Sequence, residues 1–443
     1  VLKKNMVQVI KKGLETSVQD YPGRIGTLNQ GFPLSGPMDS WSFRLANVLV
    51  ENEPGAAALE CQFMGPTLKF NSDRIIAITG ANMSPKIDGK IVPLWESLEV
   101  KKDQILEMTF ATIGARSYIA FSGGINTGTW LGSRSTFHKA GVGGIQGKAI
   151  QEGQTIPLNK SKSVAGRKIN KNNIPQMSTN KKWSIEVVKG PNDDWIDQKG
   201  HEIFLSSSWK LQSKSDRTGY RLDGPNWTFA EKATNKGLEH GTFPSNIIDQ
   251  GYPAGAINLA GQTPIILVND GPSMGGFIVP YTVPSAAFWK LGQAKPGDSF
   301  NFIEISVEKA QELRTEQSKI CSEISILSSK NILNENVMDS RYDLVEQDSD
   351  FEMTARVVYL GRPRTSTTFL GLFRRETTTT EVRVVVELKN KKTGNVVSGN
   401  GTGTIDRDIS STGFQINEEL PFDRSELGGA LKEAIGNAVQ EIL

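Results

Sequence analysis

From Val7 to Ser306 the chain reads as short runs of alternating or continuous apolar residues cut by tight turns. VQVIKKGL, AAALECQFMGPTLKF, WSIEVVKGP, AGAINLAG and TPIILVND are rich in β-branched and apolar residues and predict strands. Pro22-Gly23 and Gly36-Pro37 are turn pairs, and the IDGK phrase around Asp88-Gly89 predicts a hairpin. The period lengthens to that of a helix after Asp39, an N-cap type, with Trp41, Leu45 and Val48–Leu49 on one face. It lengthens again from Val307 to about Ser329, where Ala310, Leu313, Ile320, Ile324 and Leu327 recur. Asn159 to Lys182 and Asn331 to Asp350 are polar and predict linkers or long loops. Beyond them, FEMTARVVYLG and TTTTEVRVVVELKNKKTGNVVSGNGTGTI predict strands joined at KKTGN. RPRTSTTFLGLFRRE is a hairpin tip, and ELGGALKEAIGNAVQEIL an amphipathic helix.

Composition narrows the function classes. The 443 residues suffice for two or three domains, and a net charge of +2 gives no argument for nucleic acid or an anionic membrane. Two cysteines far apart in sequence, Cys61 and Cys321, point to a reducing compartment, the cytoplasm. With three histidines and no Cys or His pair at ligand spacing, no metal site is expected. The first residues lack the apolar core of a signal peptide, and no run of about twenty apolar residues predicts a spanning helix.

Polar residues gather between strands in the stretch Gly237 to Phe277, which holds His240, Ser245, Asn246, Asp249, Asn258, Asp270 and Ser273. Such spacing lets side chains converge at the mouth of a barrel, with backbone N–H groups of the DGPSMGG turn facing a ligand. Glu60 sits among apolar residues and needs a partner, as a core carboxylate or a catalytic one. Arg217 and Arg221 read as solvated or ion-paired groups, or as contacts to an anion. The glycines of GVGGIQGK mark turns and bulges; no GK[ST] closes a phosphate loop.

The phrases PSNIIDQGY, GAINLAG, PIILVNDGPSMGGF and WKLGQAKPGD, with VQDYPGRIG, GFPLSGPMDSWSFRLAN, LGSRST and SDRTGYRLDGP, resemble the carboxyltransferase domain of the urea carboxylase and allophanate hydrolase subunit 2 family. The resemblance runs over about residues 5–328 and extends to a related 5-oxoprolinase component. It implies a mainly β protein with two cyclophilin-like β-barrel subdomains, 1–180 and 181–306, then a helix and linker over 307–350. A small α+β tail over 351–443 is similar to the C-terminal half of the curli-secretion lipoprotein family, an envelope-type relative.

The activity implied is transfer of a carboxyl group from carboxybiotin to urea or a related amide. A neutral planar acceptor suits Asn and Asp side chains. Asn246, Asp249, Asp270 and His240 are therefore the expected catalytic residues, with His240 as a proton shuttle or a structural hydrogen-bonding group. Asp20, Arg24, Asp39, Asn258, Ser245, Ser273, Gly275 and Gly276 are the expected substrate contacts, meeting in one pocket. Biotin is implied on a partner subunit, with ATP and bicarbonate used by a partner. No ATP-grasp domain, biotin-acceptor MKM phrase or amidase signature is read in these residues. The implied partners are a biotin carboxylase, a biotin carrier and a protein like allophanate hydrolase subunit 1. The alternatives are a 5-oxoprolinase component and a non-catalytic scaffold.

Overall fold

A computed structural model describes residues 5–160 and 165–321, the strand residues 351–361, 364–369, 373–390 and 396–411, and the helical residues Ala434 and Asn437. The chain divides into two compact units, Val1–Ser328 and Ser329–Leu443. The KKTGN turn, residues 370–372 of the FLGLF tip, the acidic linker and most of the stretch expected as a C-terminal helix lie outside the described residues, while Phe369 and Phe373 pair across the hairpin.

The first unit is mainly β. Its opening half is a pair of sheets. One orders its strands Thr155–Pro157, Met6–Lys11, Thr67–Phe70, Ile105–Glu107, Lys86–Ile87 and Lys90–Ile91. The other runs Glu15–Gln19, Ala58–Gln62, Ile113–Phe121, Arg74–Asn82 and Ser97–Val100. Val7, Val9 and Leu68 of the first sheet meet Leu59, Ile76, Ile78, Ile119 and Phe121 of the second in one buried cluster. The predicted IDGK hairpin is the pair Lys86–Ile87 and Lys90–Ile91, with both turn residues at positive φ (Asp88 48°, Gly89 78°), as a two-residue hairpin loop requires.

Helix Ser40–Leu49 covers the outer face of the five-stranded sheet, burying Phe43, Ala46 and Leu49 against Ala58, Ala77 and Tyr118. It starts where the sequence says it should. Asp39 Oδ1 accepts from the Ser42 backbone N–H at 2.9 Å, satisfying one of the helix's free donors. The later helix, 307–321, returns to this face: Cys321 is buried beside it, and Arg44 Nη2 donates to Gln317 Oε1 at 3.2 Å.

The second half closes into a seven-stranded barrel. Around it run Lys182–Lys189, Tyr281–Thr282, Ala256–Ala260, Thr263–Leu267, Gly219–Asp223, Trp209–Leu211 and Ser299–Glu304. The parallel pairing of the first and last of these shuts the barrel, so no strand edge is left open. Alternate residues Trp183, Ile185 and Val187 point into the core, where Phe204 of helix Gln198–Ser206 stacks on Phe302 at 4.4 Å and Tyr281 at 4.6 Å. A two-stranded ribbon, Asn246–Gly251 with Met274–Phe277, forms a separate sheet.

In the second unit strand Phe373–Asn390 is central. Phe351–Gly361 and Arg364–Phe369 pair along one edge and Val396–Ser411 along the other, all antiparallel. Asn437 Nδ2 donates to the Thr402 carbonyl at 2.8 Å, bringing the helical residues to this sheet. No helix among the described residues is long and apolar enough to cross a membrane.

Candidate functional site

Period-two alternation sets the floor of a cavity on the outside of the barrel. In strand Ala256–Ala260, Ile257 and Leu259 enter the barrel core, which turns Asn258 to the outer face. Asn258 pairs with Ile265, and Ile265 with Arg221, so three neighbouring strands place these residues in one cross-strand row. The row faces a cavity of about 340 Å³. Tyr252, Leu267, Met274, Gly275, Gly276 and Phe277 wall it, and Lys139 reaches it from the first half of the unit. Asn258 is 4% exposed, and its Oδ1 has no hydrogen-bond partner among the described residues. A buried acceptor left unpaired costs about 1–3 kcal/mol, so a ligand N–H that meets it is bound at a gain.

Tyr252 fixes one wall. Its hydroxyl donates to the Phe277 carbonyl at 3.0 Å and accepts from the Phe277 N–H at 2.7 Å. The ring lies so close to the chain that a Cβ on Gly275 would stand 2.5 Å from Tyr252 Cε2. Burial raises the Tyr252 pKa, so the hydroxyl stays protonated and keeps its donor role. At the far end of the ribbon, Lys236 Nζ donates to the carbonyls of Phe243 (2.5 Å) and Asn246 (2.6 Å), pinning the turn into the first ribbon strand.

Between the lining residues Asp216 and Thr218, Arg217 heads a buried ion cluster that joins the two halves. Arg217 Nη1 donates to Glu60 Oε1 at 2.6 Å, Nε to Asp270 Oδ2 at 2.9 Å, and Nη2 to the Gly36 carbonyl at 2.7 Å. Glu60 Oε2 also accepts from Tyr118 Oη (2.9 Å) and the Met38 N–H (2.8 Å). Arg116 lies 3.6 Å from Glu60 and donates to Tyr220 Oη and the Gly292 carbonyl. Two guanidiniums thus face two carboxylates. Burial alone would lower the Arg217 pKa, but Asp270 and Glu60 outweigh it and raise it.

A family model described as carboxyltransferase domain, subdomain A and B, matches residues 30–304. The chain belongs to this carboxyltransferase domain family. Urea amidolyase of Saccharomyces cerevisiae is 37% identical over 362 residues, 80% of this chain and 20% of that protein. A 5-oxoprolinase component of Escherichia coli is 31% identical over 321 residues, 72% of this chain and 98% of that protein. Among solved structures, the urea carboxylase of Kluyveromyces lactis superposes with a TM-score of 0.69 at 34% identity, over 87% of this chain and 34% of that one. This carboxyltransferase chain thus spans about a fifth of the length of the urea amidolyase it matches.

The structure distributes the expected carboxyltransferase residues over several places. Asn258, Gly275 and Gly276 line the cavity. Ser273 precedes this wall, and its carbonyl accepts from the Tyr252 N–H at 2.8 Å. Asp270 is buried on Arg217, with its Oδ1 unpartnered. Asn246 begins the ribbon, Asp249 is exposed on it, and Ser245 Oγ accepts from the Gly261 N–H at 3.1 Å. His240 is half-buried, its Nδ1 accepting from the Ile248 N–H at 3.3 Å and its ring 5.9 Å from Trp195.

In the first half, Asp20 braces a loop, accepting from Ser133 Oγ, the Arg134 N–H (2.6 Å) and Ser135 Oγ (2.6 Å). Arg24 is buried, donates to the Ser135 carbonyl, and lies over Trp130 at 5.2 Å; burial lowers its pKa. Asp39 caps its helix and accepts from Gln293 Nε2 of the second half at 2.8 Å. Among the described residues no group of His, Cys, Asp and Glu is arranged to hold a metal.

Sequence reasoning missed Tyr252, Lys139, Thr218 and Lys214 as cavity residues. Tyr252 stands inside the phrase PSNIIDQGY, but Lys139 has no local signal; only the fold brings it there.

Proposed function

We propose that the cavity floored by Asn258 is the carboxyl-transfer site of a biotin-dependent, urea carboxylase-like enzyme, with urea or a close amide as acceptor. The observation that carries the reading is the unpartnered, buried Asn258 oxygen in a cavity whose other wall is the Gly275–Gly276 backbone. The residues present suit a biotin ureido ring. Ile265, Leu267, Met274 and Phe277 offer it apolar surface and Gly275–Gly276 let a ring approach the main chain, while the Asn258 oxygen is left for an N–H of the acceptor. When bound, carboxybiotin supplies a carboxyl group for the acceptor nitrogen. The chain's own part is to orient the acceptor through Asn258, exclude water with the ribbon, and present fixed backbone donors where negative charge develops.

Asn246, Asp249, Asp270, His240 and Ser273 belong to the same proposal as catalytic or contact residues around the ribbon and its turn. Ser245, Asp20, Arg24 and Asp39 join them as groups that shape the site. A biotin carboxylase, a biotin carrier and an allophanate hydrolase subunit 1-like protein would act with it, in the cytoplasm. The subdomains 1–180 and 181–306 would form the catalytic unit, and the tail over 351–443 a unit of its own. A second reading, 5-oxoproline as acceptor, is favoured by the E. coli relative, of which this chain covers 98%.

Reconstitution tests the reading: the chain is combined with biotin carboxylase, charged carrier and the subunit 1-like partner, and urea, guanidine and 5-oxoproline are offered. Carboxyl transfer to urea is expected. No transfer to any of the three supports the scaffold reading instead.

A further inference from the structure

The charged residues of the cavity are confined to its mouth. Lys139, Lys214, Asp216 and Arg221 line it and all four are exposed, whereas the floor and walls are neutral: Asn258, Tyr252, Ile265 and Leu267. Among the described residues, Lys139, Lys214 and Arg221 form no ion pair with a carboxylate. Asp216 is engaged locally, its Oδ1 accepting from the Thr218 N–H at 2.7 Å. The mouth therefore carries three cations against one anion. The cations come from both halves of the unit: Lys139 from the turn between Phe137 and Val142, Lys214 and Arg221 from either side of the Arg217 cluster.

Exposed cations on a cleft rim add little static affinity, but they set a local potential that raises the capture rate of an anion and is screened by salt. An anionic group seated at the floor would meet no cation there. An anion crossing the mouth meets three.

We propose that Lys139, Lys214 and Arg221 form an electrostatic entry site for the carboxylate of the incoming N-carboxylated ureido donor, steering it over the rim while the acceptor sits at the neutral floor. This rests on the reading of the cavity as the carboxyl-transfer site. The rim residues make no bond to the transferred carbon; they are positioning residues for the donor.

The experiment uses the full chain with its partner components. It measures kcat/KM for carboxylated carrier across a sodium chloride series, and the KM for acceptor, in Lys139→Gln, Lys214→Gln, Arg221→Gln and Asp216→Asn. Affinity for biotin methyl ester, a neutral probe, is measured by calorimetry in the same proteins. Each cation variant should lower kcat/KM for the donor by roughly threefold to tenfold and flatten its decline with salt. Saturated kcat, acceptor KM and ester affinity should be unchanged. Asp216→Asn should raise kcat/KM, a direction that structural damage does not produce. Unaltered donor kcat/KM and salt slope, with the ester still bound, overturn the entry site and leave the transfer site standing. A rise in acceptor KM instead assigns the rim to a carboxylate on the acceptor and also overturns it. If the ester does not bind the unmodified chain, the transfer-site reading and the entry site fall together.

Discussion

Arg217 and Glu60 stand 157 residues apart in sequence and 2.6 Å apart in the fold. Their bond ties the sheet strand Ala58–Gln62 to the barrel beside the cavity. Removing one partner strands the other charge in a site where Arg217 is 7% and Glu60 3% exposed. Glu60→Gln or Arg217→Met should therefore lower stability by about 3–5 kcal/mol, measured by urea denaturation. A loss below about 1 kcal/mol would mean that the cluster is solvated in solution. Asp270→Ala should also destabilise, because Asp270 shares the same guanidinium.

Asp39 gives the fold a pH signature. Burial pushes its pKa up to about 6, against hydrogen bonds from Ser42 and Gln293 that lower it. The folded state therefore binds a proton that the unfolded chain, with an ordinary carboxylate near pH 3.9, does not hold between those values. Stability from this group is lowest above pH 6 and is regained as pH falls toward 4. Relative to Asp39→Asn, whose stability is flat at this site, the unmodified chain should gain on the order of 2 kcal/mol between pH 7 and 4. A difference independent of pH would place the Asp39 pKa at its ordinary value.

Gly275 and Tyr252 fit each other. Gly275→Ala puts a methyl 2.5 Å from the Tyr252 ring, so the ribbon must move away from the barrel. Binding of biotin methyl ester should weaken at least about tenfold, or roughly 1.4 kcal/mol. Adding Tyr252→Leu to Gly275→Ala should recover part of that loss. If the double variant is no better than the sum of the two single ones, the clash is not what shapes the wall.

Much of the fold was legible in local pattern. The Asp39 cap, the helix from Ser40, the Asp88-Gly89 hairpin and the strands AGAINLAG and TPIILVND depend on neighbours in sequence, which propensity and period report. The same alternation that buries Ile257 and Leu259 put Asn258 on the outer face. Contacts between distant strands were not legible. Period two says which face a residue takes but not what it meets, so Glu60 read only as a carboxylate in need of a partner and Arg217 only as a group that pairs or is solvated. Lys139 reaches the cavity because a turn of the first half approaches the barrel, and nothing in its own stretch of sequence specifies that.

The most direct measurement compares carboxyl transfer to urea by the reconstituted system in the unmodified chain and in Asn258→Leu, with melting temperatures recorded for both. Leucine matches the size of the side chain but removes the unpartnered oxygen. Transfer should fall by at least about tenfold, roughly 1.4 kcal/mol of transition-state binding, in a protein that still melts cooperatively. Transfer at the unmodified rate in a folded Asn258→Leu protein would contradict the assignment of this cavity as the site of chemistry.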